Sequence, residues 1–128
     1  RMRELVYIDI TSVHKCSADE AERLAAMTPD CPAYSTDVTN LFFFRFYMEH
    51  RMRSNPLTNP QPHLMVRQQP VSACGLPVEL YCFTSCTQWV DFEHFKAEIV
   101  ETAYASLGKF GLRAFQSPSG IDFDKLKN

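Results

Sequence analysis

Glycine is scarce, with only four residues, at 75, 108, 111 and 120, so the chain has no Gly-rich loop to cradle a phosphate. Long basic runs are also missing. Thirteen Lys and Arg stand against fifteen Asp and Glu, for a formal net charge of −2. That argues against a nucleic-acid partner, which rewards a basic face. No apolar stretch approaches the roughly 18–20 residues needed to cross a bilayer. The nearest, Leu41 to Met48, is broken by Arg45. Arg1 to Leu5 runs straight into a strand-like pattern without a secretory apolar region, so the chain is expected to begin inside a larger protein or to have been trimmed from one.

The chemistry-bearing motifs are equally thin. Five cysteines (Cys16, Cys31, Cys74, Cys82, Cys86) form an odd set without CxxC spacing. They read as reduced thiols of a cytosolic protein, several of them small core hydrophobes. GxSxG, HExxH and paired carboxylates do not occur, so no catalytic, cofactor or metal site is expected. Cys82 and Cys86, on an extended strand, would lie about 13 Å apart, too far for a disulfide or a shared zinc. His14 and Cys16 form a pair without an evident acid. His94 should face solvent, and His50 and His63 flank a proline-rich turn. A small hydrolase would need Cys82 or His94 in a cleft beside a base.

What the chain does have is a sufficient core. With 128 residues and 45% hydrophobic content, residues 1–128 make one α+β domain. Leu5 to Ile10 predicts a strand with Val6, Ile8 and Ile10 on one face. Ser17 followed by Glu20 predicts a capping box opening a short helix that ends at Thr28-Pro29. Residues 28–38 read as a loop. Thr39 or Asn40 caps a second helix running to Ser54, stopped by Asn55-Pro56. Residues 55–62 read as a turn. His63 to Gln69 and Val78 to Thr84 form a hairpin, and apolar residues on both faces of the latter predict a central strand. The third helix is expected from Asp91 to Phe110, with Gly111 as its left-handed terminator. A short strand, Leu112 to Gln116, and a polar tail over 117–128, holding Asp122 and Asp124, follow. The order is that of a ferredoxin-like βαββαβ two-layer sandwich with an extra short helix after the first strand.

Two surfaces point to partners. The second helix is apolar almost all round at its start, with Leu41, Phe44 and Met48 on one face and Phe42, Phe43, Phe46 and Tyr47 on the others. The sheet face away from the helices carries Tyr7, Tyr81 and Phe83. Phe42, Phe43, Phe46, Tyr81 and Phe83 are therefore expected to include intersubunit or interdomain contacts. The second helix is also basic (Arg45, Arg51, Arg53) and the third acidic (Glu93, Glu98, Glu101), so the two would pair with each other or meet neighbouring subunits.

The block from Gly75 to Gly120 is distinctive. Leu64 to Gln68 (LMVRQ), Gly75 to Thr84 (GLPVELYCFT), Trp89 near a helix start, and Phe110 to Gly120 (FGLRAFQSPSG) stand in one order. Together with Ile8-Asp9-Ile10 and Thr39-Asn40-Leu41, they resemble the cytoplasmic C-terminal region of the small-conductance mechanosensitive ion channels, miniconductance branch. The resemblance covers about two-thirds of the chain. It lacks the membrane-spanning and pore helices and the preceding β-domain, and the 28–38 segment is a shortened version of the family's insert. The resemblance implies a structural, non-catalytic vestibule wall on the cytoplasmic side of the bacterial inner membrane, serving osmotic-shock protection, with this fragment itself soluble. Its partners would be copies of itself in a ring, commonly a heptamer, and the upstream β-domain and membrane domain of the same chain. No pore-lining position maps onto this sequence. The competing reading is a free-standing ferredoxin-like regulatory domain, with a ligand pocket lined by polar groups such as His63 or Arg67.

Overall fold

The computed structural model of the protein describes residues 1–60 and 63–117. Its elements run β1 (Met2–Ile8), a 3₁₀ turn (Ile10–Ser12), α1 (Ala18–Ala26), α2 (Asn40–Ser54), β2 (Thr58–Asn59), β3 (Met65–Gln68), β4 (Leu76–Thr84), α3 (Trp89–Ser106) and a second 3₁₀ turn (Leu107–Phe110). This is an α+β fold with a four-stranded antiparallel sheet and three helices.

β4 is the central strand, as its two apolar faces require. β1 pairs along one edge, from Met2 opposite Cys82 to Ile8 opposite Leu76. β3 pairs along the other, from Met65 opposite Tyr81 to Gln68 opposite Val78. β2 continues that second edge, with Thr58 opposite Thr84. Outside β1 the chain returns once more: Asp9 donates to the Arg113 carbonyl and Phe115 to the Tyr7 carbonyl, both at 2.9 Å. The strand expected over Leu112 to Gln116 is thereby reduced to one bridge, Ile8 to Ala114.

Alternation sorts the sheet into two faces. Val6, Ile8, Val66, Val78, Leu80 and Cys82 point inward and are buried. Helix α3 meets them with Phe95, Ile99 and Ala103, and α2 with Leu41, Phe44 and Met48. The apolar start of α2 is covered largely by this chain. Tyr34, from the 28–38 loop, stands edge-on to Phe43 at 5.1 Å, while Phe110 reaches Phe44 at 6.0 Å and Tyr47 at 5.2 Å.

Asn40, fully buried at the start of α2, ties the chain together. Its amide nitrogen donates to the Ser12 and Phe110 carbonyls at 3.0 and 2.8 Å, and its oxygen accepts from the His14 backbone at 2.9 Å. Gly111 terminates the second 3₁₀ turn at φ 68°, as its position predicts. Gly75 in the β3–β4 turn has φ 84°, and a Cβ there would sit 2.7 Å from the Ile8 carbonyl.

Several boundaries differ from expectation, each for a local reason. β1 ends at Ile8 because Asp9 leaves the ladder and caps the 3₁₀ turn, accepting from Thr11 at 2.9 Å; Ile10 turns outward and is exposed. Helix α3 starts at Trp89 behind Gln88, which makes no side-chain cap, so Asp91 lies within the first turn rather than capping it. β2 falls inside the stretch expected to be only a turn, where Ser85 donates to the Leu57 carbonyl at 3.0 Å and holds it against β4. Ser17 caps α1 by accepting from the Glu20 backbone at 3.1 Å, whereas the Glu20 carboxylate completes no capping box and turns to His14.

Candidate functional site

The face of the sheet away from the buried side carries three cross-strand rows. Arg3, Tyr81 and Met65 share one, Leu5, Glu79 and Arg67 the next, and Tyr7 and Pro77 the third. Phe83 follows Tyr81 along β4, their rings edge-to-face at 5.8 Å. This face stays partly open: Leu5 is 38% exposed, and Tyr7, Met65, Tyr81 and Phe83 are half-buried.

Glu79, at its centre, is 1% exposed. Two arginines lie across it. Arg3 donates from Nε to Oε2 at 2.8 Å, and Arg67 from Nε to Oε1 at 3.1 Å. Burial alone would raise the Glu79 carboxyl; the two guanidinium hydrogen bonds outweigh it and hold the group below the usual carboxylate range. The arginine stems roof the carboxylate while their heads keep contact with water. The Arg1 guanidinium also approaches the Tyr81 ring, at 6.0 Å. Among the described residues, three guanidinium groups against one carboxylate leave this apolar face positively charged.

A second partly open surface lies on α2. Arg45 sits over the Phe46 and Phe42 rings at 5.2 and 6.0 Å, a cation–π arrangement. Burial lowers the Arg45 pKa, offset in part by Glu49. Phe43, by contrast, is fully buried in this chain's own core. Phe42, Phe46, Tyr81 and Phe83 keep partial exposure.

Near the start of α1, the His14–Cys16 pair acquires the acid it lacked on paper. Glu20 places its carboxylate oxygens 2.9 and 3.0 Å from His14 Nε2, and His14 Nδ1 faces the Ser12 carbonyl at 3.2 Å. With an acceptor at each ring nitrogen, the imidazolium form is favoured and the His14 pKa rises, chiefly through the Glu20 hydrogen bond. The neighbouring Cys16 thiol is pushed up to about 11 by burial and by Glu20, so at neutral pH it is protonated and a poor nucleophile. Beside it runs a groove of about 580 Å³ between α1 and the 34–38 segment, floored by Cys16, Ala21 and Val38.

No family model matches this chain, and no solved structure matches it.

The remaining candidates scatter. All five cysteines are free; Cys82 is fully buried in the sheet, its thiol raised to about 11 by burial. His94 is exposed on α3 and shares a groove of about 370 Å³ with Cys86, Asp91 and Glu98, without a hydrogen bond to any of them. His50 lies 3.7 Å from Asp30, and His63 is exposed. Arg67, one of the groups proposed for a ligand pocket, is engaged with Glu79. The two helices do not exchange ion pairs among the described residues: Arg53 reaches Glu49 on its own helix at 4.0 Å, and Glu93 reaches Lys96 at 2.9 Å. Among the described residues, no group of three or more His, Cys, Asp or Glu is placed to hold a metal ion, and no helix is long and apolar enough to cross a membrane. Asp122, Asp124 and Gly120 lie outside the described residues.

The Arg3–Glu79–Arg67 group was the feature sequence reasoning missed. A signal existed, since a glutamate set between Val78 and Leu80 in the most strand-like run needs a partner. Which cations answer it depends on strand register.

Proposed function

We propose that this chain is an assembly domain, the cytoplasmic vestibule wall of a tension-gated mechanosensitive channel acting in osmotic-shock protection, and that its role is structural rather than catalytic. The single observation carrying the reading is the open sheet face. Leu5, Tyr7, Met65, Tyr81 and Phe83 keep apolar surface in water that a lone domain gains by covering, and the described residues of this chain leave it partly open. The run of LMVRQ, GLPVELYCFT and FGLRAFQSPSG motifs supplies the link to the miniconductance channels. The finer fold reading is the ferredoxin-like βαββαβ sandwich. It is supported by the sheet order, in which residues 113–115 lie beside β1, β1 beside β4, and β4 beside its hairpin partner β3. In this reading the partners are further copies of the chain, commonly seven, and the β-domain and membrane domain preceding it.

The test is tension-activated current in membrane patches holding the full polypeptide that carries this domain, with the domain intact and with it deleted. A conductance opened by suction, together with survival of hypoosmotic shock that depends on the intact domain, is the expected result. A full polypeptide lacking apolar spans of about 20 residues, or one that passes no tension-activated current, refutes it.

A further inference from the structure

β3 pairs with β4 along one side, and its Met65-Val66 core, preceded by Leu64, is of the kind that invites a further strand on the other. In an antiparallel pair, every second residue turns its N–H and carbonyl away from its partner strand. Val66 is such a residue, and side chains of α2 occupy both of its outward groups. Its N–H donates to Glu49 Oε2 at 3.0 Å, and its carbonyl accepts from Arg45 Nη1 at 3.4 Å. Arg45 and Glu49 stand one turn apart on α2, so a donor and an acceptor lie side by side over the strand edge. Both are held in place. Arg45 rests on the Phe42 and Phe46 rings, and the Glu49 side chain is only 16% exposed, with Arg53 4.0 Å from its other oxygen. The β1 edge shows a weaker form of the same arrangement. Tyr7 donates its N–H to the Tyr104 hydroxyl at 3.3 Å, and its carbonyl accepts from Phe115 at 2.9 Å. There one partner is backbone; at Val66 both are charged side chains.

We infer that Arg45 and Glu49 form a guard that closes the outer edge of β3 to an added strand. An extended segment joins an edge through the N–H and carbonyl groups that point outward, so it must first displace both side chains. Displacement strips a largely buried carboxylate and a part-buried guanidinium of their main-chain partners, beside apolar rings. An apolar cover of the same shape would impose no such cost. For one residue, the two side chains reproduce the hydrogen bonds that a fifth strand would make. The guard acts on the strand edge rather than on the open sheet face, and it does not rest on the assembly role.

The test compares two replacements of one residue in the whole chain, which separates the guard from ordinary packing. Glu49→Gln keeps an acceptor for the Val66 N–H, whereas Glu49→Leu keeps the volume and removes the acceptor. Amide hydrogen exchange at Val66 should be about tenfold or more faster in Glu49→Leu, and within about threefold of the wild type in Glu49→Gln. The second readout is strand addition. Its probe is a synthetic peptide of residues 64–69, LMVRQQ, with blocked ends. Added to about 1 mM, it populates a complex with a millimolar dissociation constant. Arg45→Met/Glu49→Leu should take up the peptide, with amide shifts at Leu64, Val66 and Gln68, while the wild type and Glu49→Gln take up none. If the double variant loses the native amide spectrum, Glu49→Leu alone carries this arm. Equal Val66 exchange in Glu49→Gln and Glu49→Leu overturns the guard. So does peptide uptake by the wild type at the concentration that suffices for the variant. A folded variant whose Val66 amide exchanges fast and that still takes up no peptide overturns it as well.

Discussion

Glu79 concentrates the electrostatics of this molecule at one atom pair. Its carboxylate is shielded from water and neutralised by arginines on both neighbouring strands. Glu79→Ala leaves those arginines without their acceptor, but both are half-exposed and can turn to water. A loss of about 1–3 kcal/mol in urea unfolding is therefore expected. Because the native Glu79 pKa is depressed, its contribution is present above the unfolded value and is lost as pH falls through the native one; Glu79→Gln should flatten the acid limb. His14 works in the opposite sense. Its native pKa is raised, so the Glu20 pairing stabilises fully below the unfolded value near 6.5 and fades as pH climbs through the native value. The ring is 46% exposed, so the effect is at most about 1 kcal/mol, seen as a loss of stability as pH rises above the unfolded value of about 6.5 that Glu20→Gln abolishes. Thiol labelling of the native protein should modify exposed Cys74 before Cys16 or Cys82, which are buried and protonated.

At the scale of elements, α2 is fixed by its ends and by two of its phenylalanines. Asn40→Ala strips the Ser12 and Phe110 carbonyls and the His14 amide of their partner inside the core, at an expected cost of about 2–4 kcal/mol. Phe43→Ala opens a cavity between α2 and the 28–38 loop and should cost about 3–5 kcal/mol. Phe42→Ala, on the half-open flank, should cost only about 1–2 kcal/mol. Equal losses from the two would show that the Phe42 side is closed in solution by something other than this chain. The helices were legible because their signals are local. Ser17 and Thr39 cap as their side chains predict, Asn55-Pro56 stops α2, and the spacing of Phe95, Ile99 and Ala103 sets the buried stripe of α3. The start of α3 was less legible, since Gln88 offers no capping bond and Asp91 imitates one.

For the molecule as a whole, β4 organises stability, because it alone among the strands is paired along most of both edges. Native-state hydrogen exchange should be slowest at the β4 amides from Val78 to Tyr81 and faster at Thr58, Asn59 and Ala114, which rest on two-residue or single bridges. The alternating and three-and-four patterns of the sequence by themselves determined the α+β class, the central strand, the buried faces of the helices and the aromatic character of the open sheet face. Each follows from side-chain direction within one element. Tertiary structure alone decided that Arg3 and Arg67 share Glu79, that Glu20 turns from its own helix end to His14, and that Phe43 is core while Phe42 is surface. Those outcomes depend on strand register and on loop closure between residues far apart in the chain, where a single-residue slip would send every side chain of a strand to the other face.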